Sequence, residues 1–399
     1  MQFWDTEPAK PVFDYDVERK RFIDNMEYLS TMPVEEQTLY KKWQEWNSDL
    51  PKSMARKPSL AKSFDMIWTP TDIYNKELTI KEIEELEPYV ELITDSSGTA
   101  KWTDIRKCIS SMEFTANPGR NIKAFAKDRK SGKVLGVISL GSDVTSLGVR
   151  DKYIGWQKEN KFKDGKLNHT TIGTSIIATQ PLGYNFLGGK LVSALTTSPT
   201  FRDLWKEKYG QTLIAVGTTS LYGIHSQYNG IPHFKTLGES TGKVSTKPDN
   251  EFYDIWHQWI KENKSEEYKR VTTQKEGIQG PVSGIKQRIL SMIFKELGIK
   301  STQYQHGFKR GVYFAMMYDN GNEFLRNEID ESQLKMKKKF EEGDDYTIRW
   351  WKKKAIRRYT KLHDENRLKP DTLYYMDIIG MSWDKAKETA VELQGIIED

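Results

Sequence analysis

The stretch from 122 to 242 limits the possible folds more than any other part of the chain. Apolar runs at 122–126 and 134–140 flank the turn-forming residues 128–133, which suits an antiparallel hairpin. A third run, 171–178, leads into Gly183-Tyr184-Asn185-Phe186-Leu187-Gly188-Gly189-Lys190 and then a helical pattern through Tyr209. Residues 212–221 are rich in β-branched side chains and read as the next strand; a short helix at 222–230 and a last run at 233–237 follow. Strand, glycine-bearing loop, helix, strand is an α/β unit with its ligand site at the loop. The apolar run 311–318 is expected to rejoin the same sheet, which makes 243–300 a helical insertion. The expected fold class is therefore α/β (α+β), a mixed central sheet with a helical insertion and helical N- and C-terminal additions.

Outside this stretch the patterns are helical. Phe13, Tyr15, Phe22, Met26 and Tyr28 recur loosely, and Leu39, Trp43 and Trp46 suit one buried helix face. Residues 52–63, basic and with a proline near the middle, read as a linker. A helix is expected over 79–92, capped by Thr79, with Ile83, Leu86, Tyr89 and Val90 on one face. Another begins at Thr103 or Asp104, and Asn117-Pro118-Gly119-Arg120 is a turn. An aromatic helix is expected over 250–270, a Gly-Pro break over 277–284 and an amphipathic helix over 285–297. Charged helices follow at 330–340 and 346–363, and a terminal helix at 382–397. These patterns divide the chain into an N-terminal helical arm (1–115), the α/β core with its insertion (116–320) and a basic helical segment (325–399).

Charge is unevenly placed. The chain carries +5 overall, but residues 335–369 hold thirteen Lys/Arg against six Asp/Glu, so that segment is +7 and the remainder about −2. Such clustering says more about partners than a whole-chain isoelectric point. Twelve Trp and nineteen Tyr exclude a disordered chain. The single cysteine, Cys108, excludes an internal disulfide and a cysteine zinc cluster. No apolar run approaches the length of a membrane span, and the start lacks the basic flank and apolar core of a secretory signal. A cytoplasmic location without membrane attachment is expected.

Four groups of residues can carry chemistry. Asn185, Leu187, Gly188, Gly189 and Lys190 sit where a strand gives way to a helix, so exposed N–H groups can cradle phosphate: a coenzyme A pyrophosphate or a nucleic-acid phosphate. A tight connection between elements explains the glycines equally well. Arg150 and Trp156 can contact phosphate and stack on a base, or form a structural ion pair with Asp151 beside a packed ring. His225, Tyr228 and Asn229 follow the strand 212–221; His225 and Tyr228, three apart, can offer a base and an acid from one helical face, or be structural. Arg349, Lys353, Arg357 and Lys361 recur every four residues, with Trp350 alongside, and form a cationic stripe that suits nucleic acid or a solvated face. No HxxxH, HExxH or Asp-rich pattern supports a metal site.

Gly136-Val137-Ile138-Ser139-Leu140-Gly141-Ser142, followed by Val149-Arg150-Asp151, Ile154-Gly155-Trp156, Phe186-Leu187 and Trp205-Lys206-Glu207-Lys208-Tyr209-Gly210, resembles the DruA family of the Druantia anti-phage defence system. The resemblance continues at Gly223, Tyr228-Asn229, Leu237-Gly238-Glu239-Ser240-Thr241-Gly242 and Gly311-Val312-Tyr313, covering roughly 120–320 with gaps. Gly188-Gly189-Lys190 departs from that family's usual asparagine-leucine-alanine-serine helix start. The strand order is also similar to the GNAT acyltransferase fold, whose glycine loop holds coenzyme A. Asn185 and Gly188 hold the first and fourth positions of that loop, and Lys190 stands at its sixth in place of glycine or alanine.

These resemblances imply a GNAT-like core and a role in phage or mobile-element conflict. The expected activity is that of a DNA-associated protein, with acyl-CoA-dependent transfer to DNA or a partner as its enzymatic version. A non-catalytic nucleic-acid-binding module and a nuclease- or transposase-like enzyme are the alternatives. The expected cofactor, if any, is acyl-CoA; the expected partner is nucleic acid, with protein partners unspecified.

Overall fold

A computed structural model of the chain describes residues 13–113, 119–220, 226–240, 244–273, 285–306 and 310–394. Its helices begin with α1 (Tyr15–Thr31), α2 (Val34–Asn47), α3 (Leu50–Phe64), α4 (Lys76–Glu85) and α5 (Ser96–Ile109). Next come α6 (Gly148–Ile154), α7 (Lys158–Phe162), α8 (Leu182–Asn185), α9 (Gly188–Leu195) and α10 (Pro199–Tyr209). The last are α11 (Asn250–Asn263), α12 (Ser265–Thr272), α13 (Ile285–Glu296), α14 (Gly321–Leu325), α15 (Lys338–Glu341), α16 (Asp344–Asp364) and α17 (Trp383–Gln394). The strands are β1 (Pro88–Leu92), β2 (Asn121–Asp128), β3 (Val134–Ser142), β4 (Thr170–Ala178), β5 (Ala215–Ser220), β6 (Lys235–Ser240), β7 (Val244–Ser245), β8 (Gln305–His306) and β9 (Arg310–Met316). The chain divides into two compact units: Met1–Gln37 with Lys243–Phe308, and Thr38–Gly242 with Lys309–Asp399.

The larger unit is built on a mixed seven-stranded sheet of order β1-β2-β3-β4-β5-β9-β6. Every neighbouring pair is antiparallel except β4 and β5. That parallel pair spans only Thr170↔Ala215 to Ile172↔Gly217, although β4 continues to Ala178 and β5 to Ser220. The two strands therefore part company toward their carboxyl ends, the place where α/β sheets hold ligands. β3 is buried along nearly its whole length, as expected of a run without alternation covered on both faces. α9 reaches the sheet at Gly136, where a Cβ would come within 2.5 Å of Val192. Trp102 and Ile105 of α5 pack with Phe125, Val134 and Val137, and Trp102 donates its indole N–H to Ala124 O at 3.0 Å.

The smaller unit has its own core of Phe22, Met26, Tyr253, Trp256, Ile260, Ile289, Ile293 and Phe294. Asn25 and Asp249 are bonded twice within it, at 2.9 and 3.1 Å. The expected arm 1–115 is thus divided: α1 belongs with the 243–308 excursion, and the boundary falls inside α2.

Several expectations need correction. The helix placed over 79–92 is α4, capped by Asn75, whose side chain accepts from Leu78 N at 3.1 Å; β1 follows it and joins the sheet edge. Pro88 has no N–H to extend a helix and disfavours helical backbone before it. The linker 52–63 is α3, which accommodates Pro51 in its first turn, where no N–H is needed. The helix through Tyr209 is two, α9 and α10, separated where Ser198 caps the second and Pro199 starts it. The helix expected over 330–340 is a single 3₁₀ turn, Glu331–Gln333, followed by extended chain and α15. The aromatic helix 250–270 is likewise two, α11 and α12. The 277–284 break and residues Asn117 and Pro118 of the expected turn lie outside the described residues.

Candidate functional site

The glycine-bearing connection leaves β4, makes α8 and enters α9 through Leu187, whose φ of 54° is left-handed. A Cβ on Gly188 would come within 2.8 Å of Leu182, and one on Gly189 within 2.4 Å of Gln227 Oε1. Close packing against the Leu182 backbone requires the first glycine, whereas the second faces the movable end of Gln227. Asn185 is fully buried, donating to Pro181 O (3.1 Å) and Lys369 O (2.7 Å) and accepting from Lys369 N (2.9 Å). Trp351 donates its indole N–H to Phe186 O at 3.0 Å. The Lys190 ammonium donates to the carbonyls of Gln227 and Asn229, and its pKa is lowered by burial and then by Lys354. Gln227 in turn donates to Ile176 O at 2.8 Å, on the stretch of β4 beyond its pairing with β5. The side chains of Asn185 and Lys190 are thus committed to protein partners.

Arg150 and Trp156 lie inside the protein. The Arg150 guanidinium, with no exposed surface, meets Asp143 at 2.6 Å and Asp151 at 2.6 Å, and donates to Val144 O at 2.9 Å. Lys161 completes the network at 2.6 Å from Asp151, and Thr170 donates to Asp143 at 2.6 Å. Trp156 lies under Arg150 at 5.3 Å and donates to Leu325 O at 2.7 Å. Each charge is paired, as burial requires. The pair is structural, and neither residue reaches a phosphate or a base.

His225 lies outside the described residues. Tyr228 is buried beside Tyr313 at 5.3 Å, and burial raises its pKa. Asn229 is exposed in a turn. Residues 226–230 form a turn, so the helical face expected for an acid and base is absent there.

α16 sorts its residues cleanly. Thr347, Trp351, Ala355, Tyr359 and Leu362 face inward, with Tyr359 donating its hydroxyl to Ile73 O at 2.8 Å. Trp350 is half-buried against the same core. Arg349, Lys353, Arg357 and Lys361 are exposed on the outer side. Arg349 pairs with Glu342 at 2.5 Å and Lys361 lies 3.8 Å from Glu365, but among the described residues Lys353 and Arg357 have no ion-pair partner. Beside this stripe lies a group that spacing along the sequence does not reveal. Tyr184, on α8, has Arg358 at 5.1 Å and Lys369 at 4.9 Å from its ring centre, with Arg367 nearby. Arg358, Arg367 and Lys369 all fall in the basic segment 335–369, and the fold brings Tyr184 to them from α8, far earlier in the chain.

Among the described residues no group of three or more His, Cys, Asp or Glu is placed to hold a metal, and no helix is long and apolar enough to cross a membrane.

Comparison with known proteins agrees with the motif blocks. The family model described as Druantia protein DruA matches residues 48–327. Druantia protein DruA of Escherichia coli (strain UMEA 4076-1) is 24% identical over 273 residues, which cover 63% of this chain and 64% of that relative. The chain thus matches less than two thirds of the relative's length. No solved structure matches the chain.

Proposed function

The chain belongs to the DruA family, and on that premise we propose that it is a nucleic-acid-binding protein of phage or mobile-element conflict, working in the bacterial cytoplasm. The observation that carries this reading is the outer face of α16. Four cations at one-turn spacing stand exposed on a helix anchored by Trp351 and Tyr359, and the middle two lack carboxylate partners among the described residues. A row of this kind releases condensed counterions when it meets a phosphate backbone. The test replaces Arg349, Lys353, Arg357 and Lys361 with Gln and titrates duplex DNA binding from low to moderate salt. The slope of log affinity against log salt should fall by about 0.9 per lost contact. An unchanged affinity and slope would leave the stripe a solvated face.

For the core, kinship with the GNAT fold is supported by the glycine-bearing connection from β4 through α9 to β5, its parallel neighbour. Acyl transfer is not part of the proposal, because the side chains of Asn185 and Lys190 are bonded to Lys369, Gln227 and Asn229. A nuclease-like reading is set aside too, since the described residues bring no acidic cluster together.

A further inference from the structure

The cationic surface has a second rank. Lys354 and Arg358 follow the stripe one position along α16, about 100° around the helix. Lys354 lies near enough to Lys190 for the two ammoniums to repel, and Arg358 stands over Tyr184 opposite numbers from the chain's later turn, Lys369 and Arg367. Arg367 is bonded to Glu365 at 2.7 Å, but among the described residues Lys354, Arg358 and Lys369 have no ion-pair partner. Like charges gathered without carboxylates repel one another, and a polyanion relieves that repulsion.

The rings of this surface tell what kind of polyanion suits it. Proteins that hold single strands stack successive bases on free aromatic faces. Here Trp351 and Tyr359 are wholly buried, Trp350 is half-buried against the core, and Tyr184 has Arg358 and Lys369 over its ring. Among the described residues, the rings borne by α16 and by Tyr184 leave no free π face between the two ranks, and the exposed ring of Tyr74 belongs to the chain beside His363, at the far end of the stripe.

We infer that the partner is a nucleic-acid duplex gripped through its phosphates, by Arg349, Lys353, Arg357 and Lys361 in one rank and Lys354, Arg358 and Lys369 in the other. This rests on the proposed function and names its substrate class. Affinity then depends little on sequence, because phosphate contacts position without reading bases.

The experiment measures anisotropy of a labelled DNA duplex, a scrambled duplex of equal length and the corresponding single strand, each across a salt series. The full-length protein is compared with the four-Gln stripe variant and with K354Q/R358Q/K369Q. The unaltered protein should bind both duplexes alike and more tightly than the single strand, and the second-rank variant should lose about 2.7 from the salt slope. Where Arg358→Gln impairs folding, the exposed pair K354Q/K369Q alone should lose about 1.8. Tighter binding of the single strand overturns the inference, as does an intact slope in the second-rank variants when the stripe variant loses its own. Absence of binding to any of the three probes overturns the proposed function together with it.

Discussion

His233 is held neutral by its surroundings. Its ring is buried between Phe340 and Tyr346, its Nε2 lies 2.9 Å from Thr347 Oγ1, and burial with Lys339 nearby pushes its pKa down to about 3. The unfolded chain takes up this proton near pH 6.5 and the folded chain does not until about pH 3. His233 therefore favours the folded state fully above pH 6.5, and that contribution declines by about 1.4 kcal/mol per unit as pH falls through the window. The stability gap between the unaltered protein and His233→Gln should narrow from pH 6.5 to 4 in urea denaturation; a constant gap would mean that the ring is protonated when folded. None of this was legible in the sequence, where His233 was simply the start of a strand. Arg150 shows the same limit. The sequence displayed Asp151 and Trp156 beside it, but the decisive partner, Asp143, comes from the end of β3, and only the fold tells a paired buried cation from a free one.

Among the elements, α3 shows how proline misleads a reading of the chain. A proline in a basic, polar stretch suggests a linker, yet Asp49 caps a helix there and Leu60 is fully buried on its inner side. Pro58 lies inside that helix on its exposed side, where its ring denies the Met54 carbonyl a donor. Pro58→Ala should raise stability, by up to about 3 kcal/mol, seen as a higher urea midpoint; a lower midpoint would show that the ring holds the helix in place. α16 was easier to read, because its inward and outward residues each recur at close to helical spacing and differ in chemistry. β1 was hidden, since Leu86, Tyr89 and Val90 satisfy a helical pattern as well as a strand, and Pro88 was the only sign of the change.

At the scale of the whole molecule, all six strands expected in one sheet are there, including the return after residue 300, because each is a short apolar run bounded by turn residues. The site was less legible than the sheet. A glycine pair at a strand-to-helix junction marks close approach, but the sequence does not say whether a phosphate or protein is what approaches. In the fold Leu182 stands against Gly188 and Gln227 against Gly189. Acetyl-CoA titrated into the full chain should accordingly give no saturable heat in calorimetry; saturable binding would restore the transferase reading. The sheet also fixes where the chain departs from it and returns. Ser240 and Arg310 are paired neighbours on β6 and β9, so the chain leaves and re-enters the sheet one strand spacing apart, about 5 Å. To the sheet, the 243–308 excursion is an oversized hairpin loop. A change in its length rethreads no strand of the sheet; what it must keep is the face that meets Phe22 and Met26 of α1.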